Sequence, residues 1–185
     1  MIRNSEVVEE LIDGNLLLRK ISKDDAEFIF KSLNDNDLTT YLSLGPLKTF
    51  EYAKRLVKNY LKYWDNNIQF NYIIELMGEK KVKVGSISLW NINWKHYRAQ
   101  IGIWIIPTFW NKGLGEKSIN LMKIIGFKHL KINRFEAYIA AENKRSIFLF
   151  KKCGFKEEGT LKQYLNFQGK FYDALVLAYL KENGI

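Results

Sequence analysis

Cysteine is almost missing from this chain. Cys153 is the sole thiol among 185 residues, so no internal disulfide can form and a reducing compartment, the cytoplasm, is expected. Two prolines and the lack of any low-complexity tract argue against a disordered or linker-rich protein. No apolar run approaches the roughly 18 residues of a membrane helix. The stretch from Met1 to Asp13 is polar and acidic, unlike a secretory signal. Histidine is scarce too: His96 and His129 read as surface residues. Signatures of RNA-recognition, KH, zinc-finger and helix–turn–helix modules are also missing, so the charge of +9 is not assigned to nucleic acid.

Among what is present, 47% of residues are apolar, and the length fits a single domain over 1–185 with a real core. The positive charge is unevenly placed. Lys112 to Lys152 holds ten lysines and arginines against three glutamates. That excess surrounds the stretch Ile103-Trp104-Ile105-Ile106-Pro107-Thr108-Phe109-Trp110-Asn111-Lys112-Gly113-Leu114-Gly115-Glu116. An apolar, β-branched strand runs to Ile106, Pro107 ends its ladder, and a helix opens at Gly113. Leu114, Ser118, Leu121, Met122 and Ile125 then share one face. Unpartnered amides at a helix start, beside glycines that let a ligand approach, suit a phosphate or pyrophosphate. A Walker loop needs a Lys-Ser ending, which Gly113 to Ser118 lacks. A dinucleotide fingerprint needs glycine where Ser118 stands.

What remains, W-x-x-G-x-G after a strand and a proline, resembles the acyl-CoA loop of the GCN5-related N-acetyltransferases (GNAT). A second stretch supports the resemblance. Asn143-Lys144-Arg145-Ser146-Ile147-Phe148-Leu149-Phe150-Lys151-Lys152-Cys153-Gly154-Phe155 is similar to that superfamily's later motif, one helix and one strand downstream. Gly154 to Leu161 and Gly169 to Asp173 resemble the RimJ/RimL branch in particular. The resemblance spans about Leu16 to Leu180.

Periodicity places the elements. Strands are expected over Leu16–Arg19, Phe70–Leu76, Val82–Trp90, Arg98–Ile106, Arg134–Ala141, Phe155–Phe167 and Phe171–Leu180. Ser22 starts a first helix with Asp25 in a capping-box arrangement, Thr49 caps a second, and Asn143 caps a short one. Asn34 to Thr49 reads as a loop. Trp64, Trp90 and Trp94 are candidates for an exposed face, with a homodimer in view. Gly102, inside a strand, suggests close approach of a ligand or a splay. The fold class is α/β (α+β): the acyl-CoA N-acyltransferase fold that the resemblance implies, a mixed, mostly antiparallel sheet flanked by helices.

The resemblance also implies the chemistry: acetyl moves from acetyl-CoA to a primary amine by direct attack, with no metal. It assigns pyrophosphate to the amides of Trp110, Asn111, Lys112, Gly113, Leu114, Gly115 and Glu116, and pantetheine to Ile103, Trp104 and Ile105. Asn143, Ser146 and Phe150 adjoin the cofactor. Many relatives carry tyrosine where Phe150 stands, and phenylalanine cannot donate a proton, so Ser146 is the candidate acid, acting through water. Gln100 occupies a position where relatives often have a glutamate base. Glu75 and Glu136 are the substitutes, with Tyr138 on the same strand face as Glu136. Cys153 is a nucleophile only in a ping-pong scheme. An α-amine, with a pKa near 7.7–8.0, is partly neutral without any base. A protein N-terminus, such as that of a ribosomal protein, is therefore the leading acceptor. A polyamine or amino sugar is the alternative, with Asp24, Asp25, Asp35 and Asp37 as candidate acids for its pocket. A non-catalytic CoA-binding module is the third reading. No membrane or nucleic-acid partner is expected.

Overall fold

The computed structural model describes residues 7–181. The first six residues of the acidic N-terminal stretch therefore lie outside the described residues. Eight strands form one sheet: β1 (Glu10–Asp13), β2 (Leu16–Lys20), β3 (Phe70–Leu76), β4 (Val82–Asn93), β5 (Arg98–Ile105), β6 (Arg134–Ala140), β7 (Lys156–Phe167) and β8 (Lys170–Leu180). Their order is β1-β2-β3-β4-β5-β6-β8-β7. All neighbours are antiparallel except β5 and β6. Five helices join them: α1 (Ala26–Ser32), α2 (Asn36–Thr39), α3 (Phe50–Asp65), α4 (Leu114–Ile124) and α5 (Lys144–Lys152).

Alternation along the central strands divides the core. Phe70, Tyr72 and Ile74 of β3 face the larger cluster, which holds Leu114, Leu121, Met122 and Ile125 from the α4 segment. Ile73 points the other way, into a cluster with Ile29 of α1 and Ala53, Val57 and Tyr60 of α3. The expected helix starts are present. Asp25 accepts from the Ser22 amide at 2.7 Å, the Thr49 hydroxyl accepts from the Tyr52 amide, and Asn143 accepts from the Ser146 amide.

Several expectations are corrected. β1 is an addition to the expected strands: its four residues are mostly exposed, with Leu11 alone packed on the core, and they pair with β2 at the sheet edge. The supposed loop after Asn34 contains α2, capped by the Asp35 carboxylate on the Leu38 amide at 3.0 Å. Trp64 is not exposed. It is 2% accessible and packs edge-on against Phe70 and Tyr72, with ring centroids 5.1 and 4.9 Å away. Gly102 makes room for a side chain, since a Cβ there would meet the Trp90 ring at 2.5 Å, and it lies just past the last β5–β6 pair, Gln100↔Glu136. The face begun by α4 ends in a π turn over Ile125–His129, where a Cβ on Gly126 would strike the Phe135 ring.

One polar network anchors α1 to the sheet. Arg19 of β2 donates to both carboxylate oxygens of Asp25, at 2.8 and 2.7 Å, and twice to Glu75 Oε1 of β3, at 2.9 and 2.7 Å. Lys83 of β4 lies 2.6 Å from Asp25, which is wholly buried. Burial alone would raise the pKa of Asp25. The hydrogen bonds from Arg19, Lys83 and the Ser22 amide outweigh it and bring the carboxyl down to about 2. Asp25 therefore stabilises the fold fully above its unfolded pKa near 4. That contribution is lost as pH falls toward 2. Asp25→Asn is expected to flatten the acid limb of an unfolding titration in this window. Arg19→Ala leaves two buried carboxylates short of a cation and should cost about 3 kcal/mol in urea unfolding.

Candidate active site

The site begins where β5 and β6 part. They pair in parallel only at Arg98↔Arg134, Ala99↔Phe135 and Gln100↔Glu136. Beyond Gln100, β5 stays on β4 as far as Ile105↔Gly85, and β6 stays on β8 as far as Ala140↔Ala174. The sheet opens between them, and a cleft of about 370 Å³ is lined by Ile103, Trp104 and Ile105 at the opened edge.

The glycine loop forms one wall. The chain leaves β5 through a 3-10 turn at Pro107–Phe109, and the Trp110 indole N–H donates to the Ile105 carbonyl at 2.5 Å. Asn111 and Gly113 then adopt left-handed backbone, at φ 60° and 75°. Gly113 is the N-cap of α4 and supplies no side-chain acceptor, so the first amides of the helix stay available. Successive amides of this kind form an anion-binding concavity at the positive end of a helix dipole. Gly115 is required for a different reason: a Cβ would lie 2.8 Å from Leu149 Cδ2. It sets how closely α4 and α5 pack, and so how wide the cleft is.

The opposite wall is the start of α5. Asn143 accepts from the Ser146 amide at 3.1 Å. Ser146, Phe148 and Leu149 face the cleft, and the Arg145 guanidinium lies 3.3 Å from the centre of the Trp110 ring. Lys152 and Glu116 pair at 2.7 Å, tying α5 to α4. At the far end stand Asp37, Leu38, Tyr41 and Leu42 from α2 and its exit. Trp104 stacks on Phe28 of α1 at 5.7 Å, and Tyr41 meets Tyr172 of β8 edge-on at 5.8 Å.

Most residues expected to hold the cofactor are thus brought together: Ile103, Trp104, Ile105, Trp110, Asn111, Gly113, Leu114, Gly115, Glu116, Asn143 and Ser146 all line one cleft. Lys112 is not among the lining residues. Its ammonium sits 4.7 Å over the Phe109 ring. Phe150 is 2% accessible and packs edge-on to Phe155 in the core, while its neighbour Phe148, 71% accessible, lines the cleft. Glu75 is held by Arg19. Glu136 receives hydrogen bonds from Arg134 at 2.7 Å, Arg98 at 3.2 Å and the Tyr138 hydroxyl at 3.3 Å. Neither glutamate is a cleft-lining residue. Burial, with the adjacent Glu136 carboxylate, raises the pKa of Tyr138. Cys153 is buried, and that burial raises its thiol pKa, which disfavours the nucleophilic thiolate. Arg145 and Tyr41 were not singled out from the sequence. A basic first turn on α5, against the helix dipole, was the available signal for Arg145. Tyr41 lies in the stretch read as a loop.

Comparisons with known proteins agree with this architecture. The family profile described as acetyltransferase (GNAT) domain matches residues 15–156. The uncharacterized N-acetyltransferase YoaA of Bacillus subtilis is 31% identical over 166 residues, covering 90% of this chain and 93% of that one. The crystal structure of spermidine N-acetyltransferase from Vibrio cholerae, in complex with CoA and spermine, superposes with a TM-score of 0.81. It is 27% identical and covers 91% of this chain and 96% of that one. RimL, a ribosomal L7/L12 alpha-N-protein acetyltransferase solved with coenzyme A, gives a TM-score of 0.84 at 20% identity. It covers 92% of this chain and 96% of that one, a likeness of fold.

Asn143 tests how far the cleft depends on the α5 start. Asn143→Ala removes the cap and should lower stability by about 1 kcal/mol, whereas Asn143→Ser should retain most of it. Thermal unfolding of the two variants beside the unaltered protein measures the difference.

Proposed function

The chain belongs to the acetyltransferase (GNAT) family and is an acetyl-CoA-dependent N-acetyltransferase, and from that premise we propose that residues 1–185 act as one domain that acetylates a slender, cationic primary amine of the polyamine class. Acetyl-CoA supplies the acetyl thioester. The amine nitrogen attacks its carbonyl carbon, a C–N bond forms, the C–S bond breaks, and the thiolate takes up a proton as the ammonium loses one.

The chain's own residues suit these tasks. The amides that open α4 bind phosphate oxygens, and the free edge of β5 at Ile103 to Ile105 offers backbone groups to the amide-bearing arm. Ser146 offers a hydroxyl at the cleft from which a proton can reach the leaving sulfur through water. The observation that carries the acceptor reading is Asp37. It lines the cleft, and among the described residues it has no ion pair. A second ammonium on the acceptor would supply that partner. The Tyr41–Tyr172 contact narrows the same end and favours an unbranched chain. The similar spermidine enzyme, solved with spermine, supports the reading.

A protein N-terminus is the second reading. It is favoured by the placement of Glu75 and Glu136, both held by arginines outside the cleft lining. With neither glutamate at the cleft to act as a base, an acceptor already partly neutral near pH 8 has the advantage.

Thiol release with acetyl-CoA and a panel of spermidine, amino sugars and N-terminal peptides decides between them. Release with spermidine but not peptides is the expected result, and release with peptides alone would install the second reading. Binding of acetyl-CoA without turnover of any amine would favour a non-catalytic module. Asp37→Asn should raise KM for spermidine about tenfold while KM for acetyl-CoA holds, the size expected for one charge-assisted contact. Ser146→Ala should lower kcat by about tenfold or more with little change in either KM.

A further inference from the structure

Five residues lining the cleft carry titratable side chains: Asp37, Tyr41, Glu116, Arg145 and Lys152. Lys152 is neutralised by Glu116. Arg145 is different. Among the described residues it has no ion pair, and its guanidinium carbon lies over the Trp110 ring, 3.3 Å from the centre. Trp110 is in turn fixed by its indole hydrogen bond to the Ile105 carbonyl. Stacking of this kind holds the guanidinium plane and leaves its N–H edge directed outward, the geometry that takes phosphate oxygens in pairs.

Two local effects oppose each other at this position. Lys144 and Arg145 occupy the first turn of α5, which has no acidic residue. A cation there opposes the helix dipole. The Trp110 stack offsets that cost and holds the charge at the cleft.

We propose that Arg145, oriented by Trp110, is the phosphate-reading residue of this cleft, gripping a phosphate of the co-substrate and so setting its position along the opened β5 edge. The assignment rests on the acetyl-CoA reading above. The phosphate is either the 3′-phosphate of the ribose or a member of the pyrophosphate, and the two differ in what their removal does.

The test is calorimetric titration of CoA and of 3′-dephospho-CoA into the unaltered protein, Arg145→Gln, Arg145→Lys and Trp110→Leu. Arg145 is exposed, so Arg145→Gln should unfold at the parent temperature. Loss of a charge-assisted contact should weaken CoA binding about tenfold to a hundredfold. Arg145→Lys should recover part of it, since an ammonium keeps the charge but loses the fork. Trp110→Leu should shift binding in the same direction with Arg145 present and add little once Arg145 is gone. If dephospho-CoA binds Arg145→Gln and the parent equally, the 3′-phosphate is the group read; if it weakens in step with CoA, the pyrophosphate is. Undiminished binding of both ligands by Arg145→Gln would overturn the proposal. Failure of the parent to bind CoA at all would instead overturn the reading on which it rests.

Discussion

The whole site depends on a short run of hydrogen bonds that stops. β5 and β6 share three residue pairs and then diverge. A strand edge left unpaired inside a folded chain is costly, because each orphaned amide and carbonyl gives up about a hydrogen bond's worth of free energy. The fold tolerates it only because the opened edge is reached by solvent or ligand. One of its carbonyls is already taken by the Trp110 indole. The cleft, the exposed strand and the two converging helix starts all follow from that parting.

Around it the electrostatics are arranged with little slack. The charged side chains of the sheet are mostly spoken for. Arg19, Asp25, Glu75 and Lys83 form one closed group, and Arg134 bridges Glu136 and Glu158. These groups hold strands and helix starts in register, and they keep Glu75 and Glu136, the carboxylates that the resemblance offered as bases, paired with arginines outside the cleft lining. Among the described residues, the charged groups that face the cleft without an ion pair are one acid at the α2 end and one guanidinium at the α5 start. A ligand negative at one end and an acceptor positive at the other would find complementary partners.

Much of this was legible in the residues. The limits of Phe70–Leu76 could be read from its apolar, β-branched run, because that strand is buried on both faces. The loop from Trp110 to Glu116 could be read because glycine, proline and helix spacing punctuate it. Less visible were features fixed by contact. Nothing in the run around Asn36 to Thr39 announces a helix, since α2 is one turn long and depends on the Asp35 cap. Gly102 and Gly115 looked alike as permissive residues, but one accommodates Trp90 and the other Leu149. Phe150 and Phe148 sit two residues apart on one helix, and only packing decides which is core and which lines the cleft.

The five tryptophans bring a last consequence, an optical one. Trp104 and Trp110 line the cleft. Trp64 is sealed beneath α3, and Trp94 is hydrogen-bonded to the Asn67 carbonyl beside it. Trp90 covers Gly102 on the strand between these groups. The chain therefore carries separate intrinsic chromophores for its two main events: ligand entry changes the surroundings of one pair of indoles, and loss of the core changes those of another.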